Sequence, residues 1–515
     1  MPGFDVERDP ALLARYAADE SSFAGHADGV VRTGDPETIA QVMAKASADG
    51  VPVVFSARRT SLTGAAVPEG GWVVVLPEDS SPELVTVDAE QLTATAPARV
   101  LVSDLETAAE RAGCFLPIDP TSRKTASIGG AVACNASGAR SYGFGPTGDW
   151  VQGLVVVLAS GERLTLRRGE HPPVGGRFQV ALPSGGTLTV PAPPVRRTDV
   201  KNAMGFRLRP DTPDVIDLFI GSEGTLGYIE AVTVTLLPKA EIFAALVFWD
   251  AEDAALDFVA RLQADAPAGL DPMSVEWFDR EALALAGARH PRLNVPSGAQ
   301  AALFVEQRHP KGQEDEVMLA WYEALLEAGA PEDEAAMRVS RSKADLETFR
   351  EFRHAVPESI NALARQRGLR KLGTDLAYPK GWLHKMVAYY REALADLPAA
   401  VGEAGAGFAD EWGQPLPQRL DHATFGHIGD NHLHVNLLPK TPAEMAAGKL
   451  LYDAMARHCA THGGAISGEH GIGKAKRHLL AEVVAPAELA QMKAIKRAFD
   501  PAGVLGRGNV FGFAP

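Results

Sequence analysis

The sequence predicts an α+β protein of two or three domains. Strands rich in β-branched residues and glycine turns dominate up to about residue 240. After the run "LLPKA" the texture changes to single strands alternating with amphipathic helices, and the chain then closes in two helical stretches, "KLLYDAMARHCATHGG" and "AELAQMKAIKRAFDP". A chain of 515 residues, 46% hydrophobic and 22% charged, exceeds one ordinary core and has the balance of a well-packed soluble protein.

Taken in order, residues 1–34 read as an acidic, helical lead-in. From 35 to 240, "PETIAQVMAKASADGVPVVF" gives helix then buried strand, followed by a Gly/Thr/Ser loop and the strand "WVVVLP", the rhythm of a nucleotide-binding unit. "GLVVVLASGERLTL" and "VIDLFIGSEGTLGYIEAVTVTLLPKA" form a second strand-rich block. Between them, 165–200 is rich in Gly, Pro and Arg and reads as a surface excursion of freely variable length. Residues 241–455 carry "EIFAALVFWDAEDAALDFVARLQA", "AQAALFVEQ" and the long helix "KADLETFREFRHAVPESINALARQRG" with its proline step. They predict an antiparallel sheet with helices on one face. Residues 456–515 form a C-terminal segment.

Composition excludes several classes of function. A net charge of −15 leaves no basic face for a nucleic acid. No leader pattern opens the chain and no apolar run is long enough to span a bilayer, so a cytoplasmic protein is expected, with room for peripheral attachment to the inner face of a membrane. Cys114, Cys134 and Cys459 are odd in number and far apart, which suits a reducing compartment.

Three segments have the small-residue chemistry of a ligand cradle. In "SARRTSLTGAAVP", 56–68, a Gly/Ala/hydroxyl loop leaves a strand and can present backbone N–H groups to a phosphate, although an ordinary tight turn explains such a loop taken alone. In "DPTSRKTASIGGAVACNASGARSYGFGPTGDW", 119–150, small residues interleave with apolar ones and can lie flat against a planar ligand. In "FIGSEGTLGYIEAVTVTLLP", 219–238, glycines can admit a ligand at a sheet edge. The segment "TFGHIGDNHLHVNLL", 424–438, adds three histidines. In a strand His432, His434 and Asn436 share a face, and a turn at Gly429 and Asp430 can return His427 toward them.

In order and spacing these segments resemble the flavin-binding domain of the vanillyl-alcohol oxidase and p-cresol methylhydroxylase superfamily. "GHIGDNHLHVN" and "GGAISGEHGIGKAKR" resemble the C-terminal motifs of its FAD-linked D-2-hydroxyacid dehydrogenase branch, which includes D-lactate dehydrogenase, the glycolate oxidase D subunit and D-2-hydroxyglutarate dehydrogenase. The resemblance runs from about residue 35 to 511. It implies a two-subdomain FAD-binding domain of the p-cresol methylhydroxylase type, an antiparallel-sheet-plus-helices cap for substrate, and a C-terminal helical return to the flavin domain.

The resemblance also assigns residues. Ala57, Arg58, Arg59, Thr60 and Ser61 would wrap the FAD pyrophosphate, and Arg59 is read either as a phosphate partner or as an exposed arginine. Ser127, Ile128, Gly129, Gly130, Asn135, Ser137 and Gly138 would line the flavin, and Glu223, Gly227 and Ile229 the dinucleotide. Asp119, Tyr142 and Gly224, in the same segments, complete the cofactor set. Ligand roles for a divalent metal, Zn or Mn, fall on His427, His434 and Glu469, the base role on His470, and His432 is read as a neighbour of the ligands. Arg353 and Lys371 are candidates for the substrate carboxylate. This chain departs from the family in having Ala57-Arg58-Arg59-Thr60 for a Gly-Gly-Gly-Thr-like string, Gly506-Arg507-Gly508-Asn509 for Asn-Pro-Gly-Lys, and Pro357 and Gly373 for a threonine and a lysine. No histidine lies between His26 and His171, so the FAD is expected to be noncovalent.

The expected reaction is oxidation of a D-2-hydroxy acid to the 2-oxo acid by hydride transfer to the flavin, with a quinone, cytochrome or electron-transfer flavoprotein as acceptor and a homodimer allowed. Two alternatives are a metal-dependent hydrolase, which leaves the glycine segments unexplained, and a non-catalytic flavin subunit of an electron-transfer complex.

Overall fold

The computed structural model describes residues 3–21 and 23–512. Its first layer is a three-stranded parallel sheet in which Trp72–Val75 lies between Gly29–Arg32 and Val53–Ser56. Helix Pro36–Asp49 packs on it, started by the Asp35 side chain, which accepts from Thr38 N, with Pro36 at its first turn, and stopped at Gly50 in the left-handed conformation. Its inner face buries Ile39, Val42, Met43 and Ala46. Among the described residues the lead-in is helical only at Pro10–Arg15, and Gly29–Arg32, with its apolar "GVV", is taken into this sheet.

A second sheet of five antiparallel strands follows, ordered Thr86–Asp88, Thr93–Pro97, Tyr228–Thr235, Val151–Val157 and Arg163–Arg167. The stretch 165–200 is not the unanchored excursion expected. It holds the hairpin Arg177–Ala181 with Thr187–Pro191, whose Phe178, Val180 and Val190 are buried. Alternate side chains of "RFQVA" point inward and hold the hairpin to the core, while Gly185 and Gly186, both at positive φ, turn it.

The third sheet has eight antiparallel strands. The order of its main path is Met337–Val339, Glu241–Trp249, Ala301–His309, Pro272–Asp279, His422–His427, His432–Leu437 and Leu372–Gly373, and Leu376–Ala377 also pairs with His432–Leu437. Helices cover both of its faces rather than one. The strand Glu241–Trp249 is apolar at successive positions: Phe243, Val247 and Trp249 enter one core, and Leu246 and Phe248 the other. Helices Glu252–Ala264 and Glu314–Glu327 cover the first through Phe258 and Trp321. Helices Arg280–Arg289 and Lys343–Gln366 cover the second, where Phe352 meets Phe248 and Phe278 edge-on. Each such buried aromatic side chain contributes on the order of 1.5–3 kcal/mol.

The C-terminal helices bring the chain back to the first sheet. Val53 N donates to Val504 O at 2.8 Å, and Gly506 N donates to Val53 O at 3.0 Å. The two-subdomain base, the antiparallel cap and the helical return match the expected class.

Candidate functional site

The histidine segment is a β-hairpin. Strands His422–His427 and His432–Leu437 pair so that His427 faces His432 and Phe425 faces His434. The turn residue in the left-handed region is Asn431, at φ 51°, rather than Gly429 or Asp430. Gly429 is required for a different reason: a Cβ there would stand 2.6 Å from the Tyr142 ring. Asp430 is held by Ser141 Oγ at 2.7 Å, and Asn431 Oδ1 accepts from Gln263 Nε2 at 2.8 Å.

Glu469 closes the cluster. Nε2 of His427 and Nε2 of His434 each lie 3.2 Å from a Glu469 oxygen. Their Nδ1 atoms are engaged elsewhere, His427 with Glu276 Oε1 at 2.6 Å and His434 with the Thr374 carbonyl at 2.9 Å. Two imidazoles with fixed Nδ1 partners therefore aim their Nε2 atoms at one carboxylate, a donor set that fits a divalent cation. Lys201 Nζ lies 3.0 Å from Glu469 and 3.8 Å from Asp430. Burial would raise Glu469, but Lys201 and His427 hold it well below the usual carboxylate range. Burial also opposes protonation of His427, yet the Glu276 carboxylate overrides it and lifts His427 to about 9.

His470 stands beside this set, its ring stacked on His434 at 5.4 Å and 12°. Its Nδ1 lies 3.5 Å from Asp375 and its Nε2 3.7 Å from Glu469. Burial lowers it to about 4, outweighing both carboxylates, so the ring is neutral at working pH. Asp375 is the hub of this corner. It accepts from the backbone N–H of Glu469 and of His470 at 3.0 Å each, from Ser467 Oγ at 2.7 Å, and from Lys476 Nζ at 2.5 Å. Burial alone would raise its pKa, but His470 and Lys476 hold it well below the usual range.

The two candidates for a substrate carboxylate differ. Arg353 Nε is paired to Glu276 at 2.9 Å with little exposure, so its charge is already matched. Glu276 and Glu306 sit on the face that also carries Phe278 and Phe304, opposite Arg353 and Arg350 of the long helix. Lys371 lies on the other side of His434. Its Nζ donates to Asn436 Oδ1 at 2.6 Å and lies 5.9 Å from the Phe425 ring, and it has no carboxylate within 4 Å among the described residues. Burial lowers it to about 8.

The glycine segments meet one another and this cluster along a single seam. Glu223 N donates to Ala133 O, Gly221 N to Val132 O, and the Glu223 carboxylate accepts from Ile472 N and Gly473 N at 2.8 and 2.7 Å. Asn509 ties the first and third segments together, its Nδ2 donating to Ala65 O and Glu223 O. Ser137 Oγ lies 3.5 Å from Glu469, and Thr63 Oγ1 donates to the His470 carbonyl at 3.4 Å. Gly224, at φ 72°, has nothing within 4 Å of a built Cβ. That open backbone beside the joined loops fits an extended dinucleotide.

Several expected cofactor residues are occupied otherwise. Arg59 has φ 54°, where a glycine is at ease, but its guanidinium lies 5.1 Å over the Tyr16 ring and bonds Arg15 O, so it does not face the seam. Arg58 likewise turns to Glu78 O, while Ala57 packs under the first sheet and Thr60 is half-buried. Ser61 Oγ accepts from Thr63 N and Ala65 N and shapes the loop. Ser127 caps the short helix Ile128–Ala133 by accepting from Gly130 N, and Asn135 Oδ1 accepts from Gly148 N. Gly129, Gly138 and Gly227 are crowded by protein: a Cβ on them would stand 2.4 Å from Ala98 Cβ, 2.0 Å from Asp119 O and 2.7 Å from Val156. Asp119 is ion-paired to Arg123 and Arg140, Tyr142 Oη bonds Leu262 O in the cap, and Ile128 and Ile229 are core residues.

Sequence reasoning missed Lys201, Glu276, Asp375 and Lys476. The available signal was a lone acid in an apolar run, "SVEWF" for Glu276 and "GTDLAY" for Asp375, since an unpaired charge is not buried in such a strand.

Residues 237–510 match the family described as FAD linked oxidases, C-terminal domain, and residues 27–167 match an FAD binding domain. The chain is 28% identical over 511 residues to the glycolate oxidase subunit GlcD of Bacillus subtilis (strain 168), covering 99% of this chain and 94% of that one. It is 28% identical over 519 residues to a D-2-hydroxyglutarate dehydrogenase of Stutzerimonas stutzeri (strain A1501), covering 98% and 96%. It is 26% identical over 508 residues to a D-lactate dehydrogenase of Anaerostipes hadrus, covering 96% and 92%. The fold is similar to that of 4-ethylphenol oxidase from Gulosibacter chungangensis, with TM-score 0.66, 15% identity and coverage of 99% and 94%.

Proposed function

The chain belongs to the FAD-linked oxidases, and from that membership we propose that it oxidises a D-2-hydroxy acid of the D-lactate, glycolate or D-2-hydroxyglutarate kind to the 2-oxo acid. The substrate class is the one named by three of its relatives. One observation carries the reading: Glu469 sits between the two imidazoles of the hairpin and the glycine loops, 3.2 Å from His427 and His434 and 3.5 Å from Ser137, with His470 next to it and stacked on His434.

When bound, FAD supplies the acceptor for the hydride leaving C2, and a divalent cation held by His427, His434 and Glu469 supplies Lewis acidity toward the substrate oxygens. The chain's own groups do the rest. His470, neutral and oriented by Asp375 through Nδ1, takes the hydroxyl proton on Nε2. Lys371, which has no carboxylate within 4 Å among the described residues, pairs with the substrate carboxylate, while Arg353 stays with Glu276 and positions His427 through it. The apolar walls at Phe425 and the buried hairpin limit access of water. The electron acceptor that fits this reading is a quinone, cytochrome or electron-transfer flavoprotein. Among the described residues no helix is long and apolar enough to cross a membrane.

The test is anaerobic mixing of the FAD-loaded protein with a panel of D- and L-2-hydroxy acids while the visible absorbance of the oxidised flavin is followed. Bleaching by D-2-hydroxy acids supports the proposal. A flavin that no 2-hydroxy acid reduces overturns it. Denaturation should release the FAD, and Glu469→Ala should lower metal content while FAD stays bound.

A further inference from the structure

His432 is fully buried and its role is not accounted for by the proposed chemistry. Its Nε2 lies 3.0 Å from Asp375 Oδ1, an acceptor, so that nitrogen carries the ring proton and Nδ1 keeps a lone pair. Nδ1 is buried and has no hydrogen-bond partner among the described residues. The ring is held in place: a Cβ on Gly468 would stand 2.8 Å from its Nε2 and Cε1, so backbone covers that side closely.

Local structure brings this ring into the cluster twice over. The two-residue period of the strand puts His432 on the face of His434, and the hairpin register sets it opposite His427. The ring centroids lie 4.7 Å from His434 and 5.4 Å from His427. One ligand atom from each of His427, His432, His434 and Glu469 falls within 4.8 Å of the others.

Resting on the reading of this site as a metal centre, we propose that His432 is a fourth protein donor, through Nδ1, giving three imidazoles and one carboxylate. The assignment gives the orphaned lone pair a partner. Asp375 then serves two histidines, fixing the tautomer of His432 through Nε2 and orienting His470. With four positions filled by protein, the substrate must enter as a fifth or sixth ligand. That favours a cation that expands its coordination, such as Mn, Co or five-coordinate Zn.

The test uses the FAD-loaded full chain, stripped of metal and titrated separately with Zn²⁺ and Co²⁺ against a competing chelator, with X-ray absorption to count imidazoles. His432→Gln places an amide N–H near the Nε2 position, keeping the Asp375 contact while removing Nδ1. The wild type should fit three imidazoles and the variant two, with metal affinity lower by about 10–100-fold, the scale on which lost support of a metal site acts. FAD content and metal-free melting should be unchanged. Two imidazoles in the wild type, or equal affinity in the variant, overturns the fourth ligand and leaves the metal centre standing. A wild type that takes up neither ion overturns both. Where the variant does not fold, the imidazole count of the wild type decides.

Discussion

Replacing Asp375 with asparagine should unsettle the site and the fold together. The carboxylate is fully buried. Oδ1 accepts from His432 Nε2, Gly468 N and Glu469 N, and Oδ2 from Ser467 Oγ, His470 N and Lys476 Nζ. An asparagine amide turned either way sets its NH₂ against fixed backbone donors. It also leaves the Lys476 ammonium, buried beside it, without its counter-charge. Breaking a buried pair by removing one partner costs about 3–5 kcal/mol. On a scale of about 2 °C per kcal/mol for a large unit, the melting midpoint should fall by roughly 6–10 °C. Asp375→Asn with Lys476→Met should recover part of that loss, because removing both charges avoids the stranded ion. Thermal melts of parent, both single variants and the double variant measure this. An Asp375→Asn protein that melts within about 1 °C of the parent, or a double variant no more stable than the single, would refute the assignment of Asp375 as the counter-charge of this corner.

His470→Asn should keep FAD and metal but slow anaerobic flavin reduction by about 10²-fold or more, as loss of a general base does, and stopped-flow bleaching reads that step. Lys371→Met should raise KM by about 10–100-fold, the worth of one hydrogen bond to a charged group, whereas Arg353→Met should chiefly lower the melting temperature by leaving buried Glu276 with His427 as its one remaining cationic partner among the described residues. Burial raises Glu223 to about 7. Stability gained from its protonated form is full below the ordinary glutamate value and lost as pH rises toward 7, so Glu223→Gln should flatten that slope in denaturation of the FAD-free protein between about pH 4.5 and 7.

The parts of the site visible in the sequence were those carried by local period and motif. The alternation of "HLHVN" set His432, His434 and Asn436 on one face, and the resemblance joined Glu469 and His470 to them across the chain. What stayed hidden depended on partners far apart in sequence. Glu276 pairs with a residue 77 positions later and with one 151 positions later, and no local pattern ranks such pairs. The second helical layer on the cap was hidden because "FAALVFW" is apolar at every position, so it has no polar face to read. The docked hairpin at 177–191 was masked by the Gly and Pro around it, and the loop arginines Arg58 and Arg59 turned outward because each found a backbone carbonyl away from the seam.

The pairing of Val53 with Val504 and Gly506 has a consequence for biosynthesis. Val53 leaves the ribosome about 450 residues before its partners, which at ~5–20 residues per second is roughly 20–90 s. Through that interval the flank of Val53 that later pairs is open to other chains, and the core under the first nucleotide-binding layer lacks Val504 and Leu505. The glycine loop at 61–66 lacks Asn509, which clamps it, for just as long. Cofactor capture should therefore follow synthesis, and a nascent chain stalled before residue 504 should be unable to retain FAD.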